Sequence, residues 1–235
     1  QTSKQDTTSV SLFAVGGWKY GSTSCESMER LTFEYPRNEN HSSKPGLDSE
    51  WLRNQAQWEL CAPLLLPRRL HSVAASADSS SIFVFGGYID ERRTTNCVER
   101  YDIAADKWFV CDKLPFGEHN CPLVQAVADK SGFLIFPFST DETPPLVLRY
   151  VPGSAKPFSS VIVPNTDVQL RLPIPCWHSF SVTSSASLNR AYLVGGTVNG
   201  SWTNNAFELN LDTMGWNELP AMTFARRRLA TVVLE

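Results

Sequence analysis

Ile82-Phe83-Val84-Phe85-Gly86-Gly87, then Val98-Glu99-Arg100-Tyr101-Asp102, then Trp108, is the stretch that decides the fold, because its order recurs along the chain. A second copy reads Ala191-Tyr192-Leu193-Val194-Gly195-Gly196, then Phe207-Glu208-Leu209-Asn210, then Trp216. A third reads Leu12-Phe13-Ala14-Val15-Gly16-Gly17, then Met28-Glu29-Arg30-Leu31, with Trp58 delayed. A recurring phrase means one supersecondary unit used several times, each unable to bury its own faces and stacked on the next. Alternating apolar residues such as Ile82 and Val84, or Tyr192 and Val194, suit strands buried on at least one face. Gly-Gly at a strand end permits positive φ and leaves room for close approach. The Trp and Tyr of the following strands are the expected fillers of that room. The unit is therefore a four-stranded antiparallel sheet.

Working outward, the units fall at about 10–61, 71–111, 122–163 and 177–218, with a strand at 229–234 that begins a further unit or closes the ring. Within the first unit, residues 35–55 read as a surface insertion rich in Asn, Ser and Pro. The third unit is eroded: Phe136-Pro137-Phe138 stands where Gly-Gly should, and Pro137 lacks the N–H that a ladder position needs. The chain opens on the second strand of one unit and ends on the first strand of another. It reads as about four sheets of an incomplete ring or of a fragment of a six-bladed one, the alternative being a closed ring of four. It does not begin with Met, which suits an excised piece of a longer protein.

Composition excludes several classes. The 235 residues suit one all-β domain, and 42% hydrophobic residues suffice for its core. With 21 Lys and Arg against 24 Asp and Glu, the net charge of −3 gives no electrostatic case for nucleic acid. No apolar run approaches the roughly 18 residues needed to span a bilayer, and the polar N-terminus carries no signal-peptide core. Cys61 and Cys111 each follow the repeat Trp by the same interval, as small buried apolar residues would. The other four cysteines show no paired spacing, which points to reduced thiols and an intracellular setting. Asn40-His41-Ser42 and Asn199-Gly200-Ser201 match the glycosylation sequon, a triplet common by chance.

The order strand, Gly-Gly, Val98-Glu99-Arg100-Tyr101-Asp102, Trp108, together with Pro67-Arg68-Arg69-Leu70-His71-Ser72, resembles the kelch repeat over essentially the whole chain. It is most similar to the kelch-like (BTB-kelch) proteins. The resemblance implies an all-β, kelch-type β-propeller of four-stranded blades whose loop face binds a partner protein or peptide. In that family the propeller recruits substrates to a cullin-type ubiquitin ligase, through BTB and BACK domains that this sequence does not contain. Other kelch proteins bind actin. A negative chain without a long basic stretch does not favour a negative filament.

Some kelch-type propellers are enzymes, but a kelch-type enzyme is the less favoured reading of this chain. G-x-S-x-G, phosphate-loop and H-E-x-x-H signatures are missing. Kelch-type copper enzymes need a Tyr/His cluster, and this chain has four histidines. His71 and His178 both precede Ser and read as one repeat position, hence scaffold. His41 reads as solvated, and His119 as part of a polar loop. No catalytic residue, metal or cofactor is assigned.

Loop residues that differ between copies are the binding candidates. Loops after Gly-Gly carry Trp18-Lys19-Tyr20, Tyr88 to Arg93, Asp141-Glu142 and Asn199 to Trp202; loops entering each unit carry Arg68-Arg69, Glu118-His119 and Arg226-Arg227-Arg228. In kelch-like propellers both sets line one face. Arg68 and Arg226 share a register where an ion pair to a neighbouring blade is expected. Tyr20, Arg69, Arg92, Arg93, Trp202 and Arg228 are the candidate contacts, since aromatics and arginines dominate binding hot spots. Paired guanidinium forks suit an acidic motif. Expected location is the cytoplasm, with no nucleic acid or membrane as partner.

Overall fold

The computed structural model describes residues 7–18, 24–36, 57–119, 121–139, 143–174 and 177–234. Among them there is strand and turn but no helix, and so no helix long and apolar enough to cross a membrane. The first sheet pairs β1 (Thr7–Val15), β2 (Met28–Pro36) and β3 (Trp58–Cys61). The second runs β4 (Ser72–Ala75), β5 (Ser81–Phe85), β6 (Cys97–Asp102) and β7 (Lys107–Lys113) in chain order. The third does the same with β8 (Val124–Asp129), β9 (Gly132–Pro137), β10 (Leu148–Tyr150) and β11 (Phe158–Ser160). A small sheet joins β12 (Trp177–His178), β15 (Thr197–Val198) and β16 (Ser201–Trp202). It flanks the fourth main sheet of β13 (Ser181–Ser185), β14 (Arg190–Val194), β17 (Ala206–Asn210) and β18 (Gly215–Leu219). Every pairing is antiparallel.

The sheets stack face to face, and the period of two along each second strand explains how. Ile82 and Val84 of β5 enter a core with Met28 and Tyr101, while Phe83 and Phe85 enter another with Phe133 and Ile135. In β9, Phe133 and Ile135 face back to the second sheet, and Leu134 and Phe136 face on to the fourth, against Leu193 and Phe207. These strands are apolar at nearly every position because both their faces are covered. First strands of successive sheets lie side by side, β4 against β8 and β8 against β13. Ser72 marks this seam by accepting the Ala126 N–H at 2.9 Å.

Leu229 to Leu234 makes no ladder of its own among the described residues. Yet Thr231 N–H donates to Ser181 Oγ at 3.1 Å, as Ala126 does to Ser72, so the segment lies beside β13 where the first strand of a next sheet would lie. The insertion at 35–55 falls almost wholly outside the described residues.

The repeat Trp residues do not fill the space beside Gly-Gly. Trp108 Nε1 donates to Ala62 O at 2.9 Å and Trp216 Nε1 to Arg171 O at 2.9 Å, each tying its sheet to the preceding connection. The space beside the glycines is taken by the entering loop, with Leu64 near Gly16, Leu114 near Gly86 and Met222 near Gly195.

Candidate partner-binding face

Gly16 and Gly195 show why the strand must end as it does. Both sit in the left-handed region, at φ +59° and +62°, and a Cβ would lie 2.9 Å from Arg68 O or 2.6 Å from Arg226 O. No side chain fits there without displacing backbone. The following glycines clasp the same carbonyls, Gly17 N–H to Arg68 O at 2.9 Å and Gly196 N–H to Arg226 O at 2.8 Å. Each entering loop is thereby held against the loop after Gly-Gly, and the two loop sets share one face.

Arg68 and Arg69 are neighbours in sequence with opposite fates. Arg68 is fully buried, and its guanidinium pairs with Glu99, whose side chain is also 0% exposed. It donates further to Leu66 O at 3.2 Å, Gly86 O at 3.1 Å and Cys97 O at 3.0 Å, while Glu99 Oε2 accepts Leu65 N–H at 2.9 Å. A buried charge needs this completeness, since desolvation otherwise exceeds the Coulomb gain. Arg69 turns outward, 5.1 Å from the Trp18 ring centroid and 5.8 Å from that of Tyr88, and donates to Ser24 Oγ at 3.2 Å.

Trp202 repeats the theme with Arg227 stacked at 5.1 Å. Trp18 is 76% exposed and Trp202 57%. Arg93 is tied down locally: Asp90 accepts its Nε–H at 2.5 Å and the N–H groups of Arg92 and Arg93. Those backbone bonds, the one from Arg92 first, lower the Asp90 carboxyl to about 2. Arg92 is exposed, with no side-chain bond among the described residues. Arg228, also exposed, adopts φ +53° and donates its N–H to Ser179 O at 2.9 Å. Tyr20, Lys19, Asp141 and Glu142 lie outside the described residues.

The two histidines do not share a register. Arg69 bridges to Tyr88, the residue after Gly87, whereas His178 bridges to Thr197, the residue after Gly196, so His178 stands in the place of Arg69. The left-handed residues Leu70 and Ser179 mark the same step, and Phe180 takes the place of His71. His71 Nε2 lies 3.0 Å from Val15 O, binding the first sheet to the second. Burial first, and then the Arg68 charge, lower its pKa to about 4, so it is neutral at pH 7. The Arg68–Arg226 register holds, but Arg226 is exposed and, among the described residues, makes no ion pair like that of Arg68.

Cys25, Cys61, Cys97, Cys111 and Cys121 are free thiols, and Cys61 and Cys111 are half-buried rather than fully buried. Desolvation raises the Cys97 and Cys111 thiols and pushes Cys121 up to about 12, the reverse of an activated nucleophile. Among the described residues no group of three or more His, Cys, Asp and Glu is placed to hold a metal ion.

Two pockets open on the loop side. One of about 350 Å³ is lined by Tyr88, Thr94, Phe138 and His178 among others, and a second of about 710 Å³ by Phe116, Phe138, Pro144, Leu146 and Arg171 among others. Thr94, Phe138 and Arg171 were not among the sequence candidates. The one sequence sign near them is the loss of Gly-Gly at Phe136-Pro137-Phe138, which marks a local distortion and names none of them as a contact. A larger cavity of about 770 Å³ lies at the opposite strand ends. Two of its carboxylates are already engaged there, Asp112 by the Tyr150 hydroxyl and Asp129 by Arg149.

The sequence matches the Kelch motif over residues 69–115. No curated protein matches it. Among solved structures, that of YjhT is similar with a TM-score of 0.61 at 13% identity, over 92% of this chain and 64% of that one. The chain thus spans less than two thirds of YjhT. With its Kelch motif and its stack of four-stranded antiparallel sheets, the chain has the fold of a kelch-type β-propeller.

Proposed function

We propose that this chain is a protein-interaction module that takes an acidic segment of a partner protein on its loop face, and that it carries no catalytic activity of its own. Kelch repeats are commonly interaction modules, and the observation that carries the reading here is the pair of exposed Trp rings capped by arginines. Trp18 with Arg69 and Trp202 with Arg227 put two large apolar surfaces beside fixed positive charge on one face. Such amphipathic anchors are the residue types that dominate interface energies. Arg228, beside Arg227, and Arg92, in the loop after Gly87, add exposed charge. Recruitment of a substrate to a cullin-type ubiquitin ligase in the cytoplasm is the role this module would serve.

The test is affinity enrichment from cells with the wild-type chain and with Arg92→Glu/Arg228→Glu, read by quantitative mass spectrometry. Partners that carry acidic segments should be depleted at least tenfold by the double variant. An unchanged partner set would end the acidic-motif reading. Recovery of cullin and its adaptor subunits with the protein in its full-length form tests the ligase role separately.

A further inference from the structure

The third sheet departs from the others, and the departure makes a groove. In the first, second and fourth sheets the first glycine of the pair donates its N–H to the start of the third strand. These bonds are Gly16 to Ser27 O at 2.8 Å, Gly86 to Cys97 O at 3.3 Å and Gly195 to Asn205 O at 2.9 Å. Pro137 occupies that place and has no N–H to give. The next residue departs too: where Gly17 and Gly196 donate to the loop entering the next sheet, Phe138 N–H donates to Leu123 O at the entry of its own sheet, at 2.7 Å, and Phe138 brings a ring where the others have none. That ring packs edge-on against Phe180, centroids 4.6 Å apart. The loop beyond pairs elsewhere: Leu146 bridges Arg171, Leu172 N–H donates to Pro145 O at 3.0 Å, and Arg171 Nη1 to Pro144 O at 2.7 Å.

Between this displaced loop and the loop carrying Pro115, Phe116 and Pro122 lies the outer pocket; Pro122, Phe138 and Ser139 line the inner pocket as well, so the two are one groove. Its outer part is walled by prolines, Phe116 and Leu146. Its inner end is polar, with Tyr88, His178 and the Thr94 hydroxyl. Thr94 is only 7% exposed and its Oγ1 has no hydrogen-bond partner among the described residues. A buried hydroxyl left so is costly and marks a place where a ligand atom completes the bonding. Among the described residues no Asp or Glu lines the groove. Arg171 stands at the outer part, and at the inner end Arg69 stacks on Tyr88 while the backbone N–H of Arg228 holds Ser179 O.

We infer that this groove seats an extended segment of a partner protein in which an apolar side chain lies close to an acidic one. The apolar side chain packs on the proline and Phe138 walls, and the carboxylate meets the Thr94 hydroxyl and the flanking arginines. This rests on the interaction-module reading above and narrows it to one sheet junction.

The probe is a phage-displayed library of random linear peptides panned on the protein, with enriched sequences resynthesised and titrated by fluorescence polarisation. Enriched peptides should carry Asp or Glu within a few positions of an apolar residue. Pro115→Glu and Arg171→Glu, both at exposed positions, should each weaken binding at least tenfold. Thr94→Val, which keeps the shape, should weaken it severalfold, and Arg92→Glu less than twofold; unchanged unfolding midpoints establish that all four variants are folded. Peptides that respond to Arg92→Glu but not to the groove variants overturn the groove and leave the loop-face reading standing. Enrichment without acidic residues, or none at all, overturns both.

Discussion

Replacing Glu99 by Gln removes one charge, keeps the side-chain shape, and strands the Arg68 guanidinium in the interior. Both side chains are completely buried, so solvent cannot take over the lost interaction. Breaking a buried pair by removing one partner typically costs about 3–5 kcal/mol. Arg68 retains its bonds to Leu66 O, Gly86 O and Cys97 O, which places Glu99→Gln near the lower end of that range. Arg68→Met should cost more, because it leaves Glu99 charged and frees those three carbonyls as well. A double Arg68→Met/Glu99→Leu variant should be more stable than Arg68→Met alone, since the uncompensated charge is gone. Guanidinium unfolding with linear extrapolation reads all three, and an unchanged slope shows that the cooperative unit is intact. At about 2–4 °C per kcal/mol for a domain of this size, Glu99→Gln should lower the melting midpoint by roughly 10 °C. A loss below about 1 kcal/mol would refute the reasoning, because an exposed ion pair contributes that much.

Other perturbations follow from the same junctions. His71 has a folded pKa of about 4 against an unfolded value near 6.5, so the unfolded state binds more protons between those values. Stability should therefore be intact above pH 6.5 and fall as pH drops towards 4, by about 3 kcal/mol from this residue. His71→Gln should flatten that part of the pH–stability curve, and identical curves would contradict the assignment. Gly195→Ala places a Cβ 2.6 Å from Arg226 O at φ +62°, whereas at Gly17, φ +107°, a Cβ meets none of the described residues within 4 Å. Both substitutions strain the backbone, but Gly195→Ala should cost about 1–3 kcal/mol more by the added clash. Equal losses by thermal unfolding would show that the close approach does not matter.

The phrase around Gly86-Gly87 was legible because a strand buried on both faces must be apolar throughout, and a backbone clasp at its end demands glycine. The fate of Arg68 against Arg69 was half legible. The shared register of Arg68 and Arg226 could be read, but not that the first arginine would be sealed inside while the second reached the surface. His71 and His178 were misread because each precedes Ser. The left-handed residue that sets the register, Leu70 in one loop and Ser179 in the other, has no common identity. The role given to Trp108 and Trp216 failed for a related reason: their N–H partners lie in the preceding connection, far along the chain. The groove was beyond reach except as a warning at Pro137. Its outer wall exists because residues 145–147 pair with 170–172, a choice between loops that no local pattern encodes.

The two-faced second strands have a consequence for cooperativity. Phe83 and Phe85 belong to one core while Ile82 and Val84 belong to the core before it, so each sheet is a shared wall between two compartments. Stability then resides in junctions, and behaves as a row of coupled links rather than a single reservoir. A lesion at Phe85 weakens one link and reaches others only through the sheets they share. Val10 and Leu12, on the open face of the first sheet, seal no junction among the described residues. Opening should start there and move inward, leaving β5 and β9, each embedded between two junctions, as the last amides to exchange with solvent.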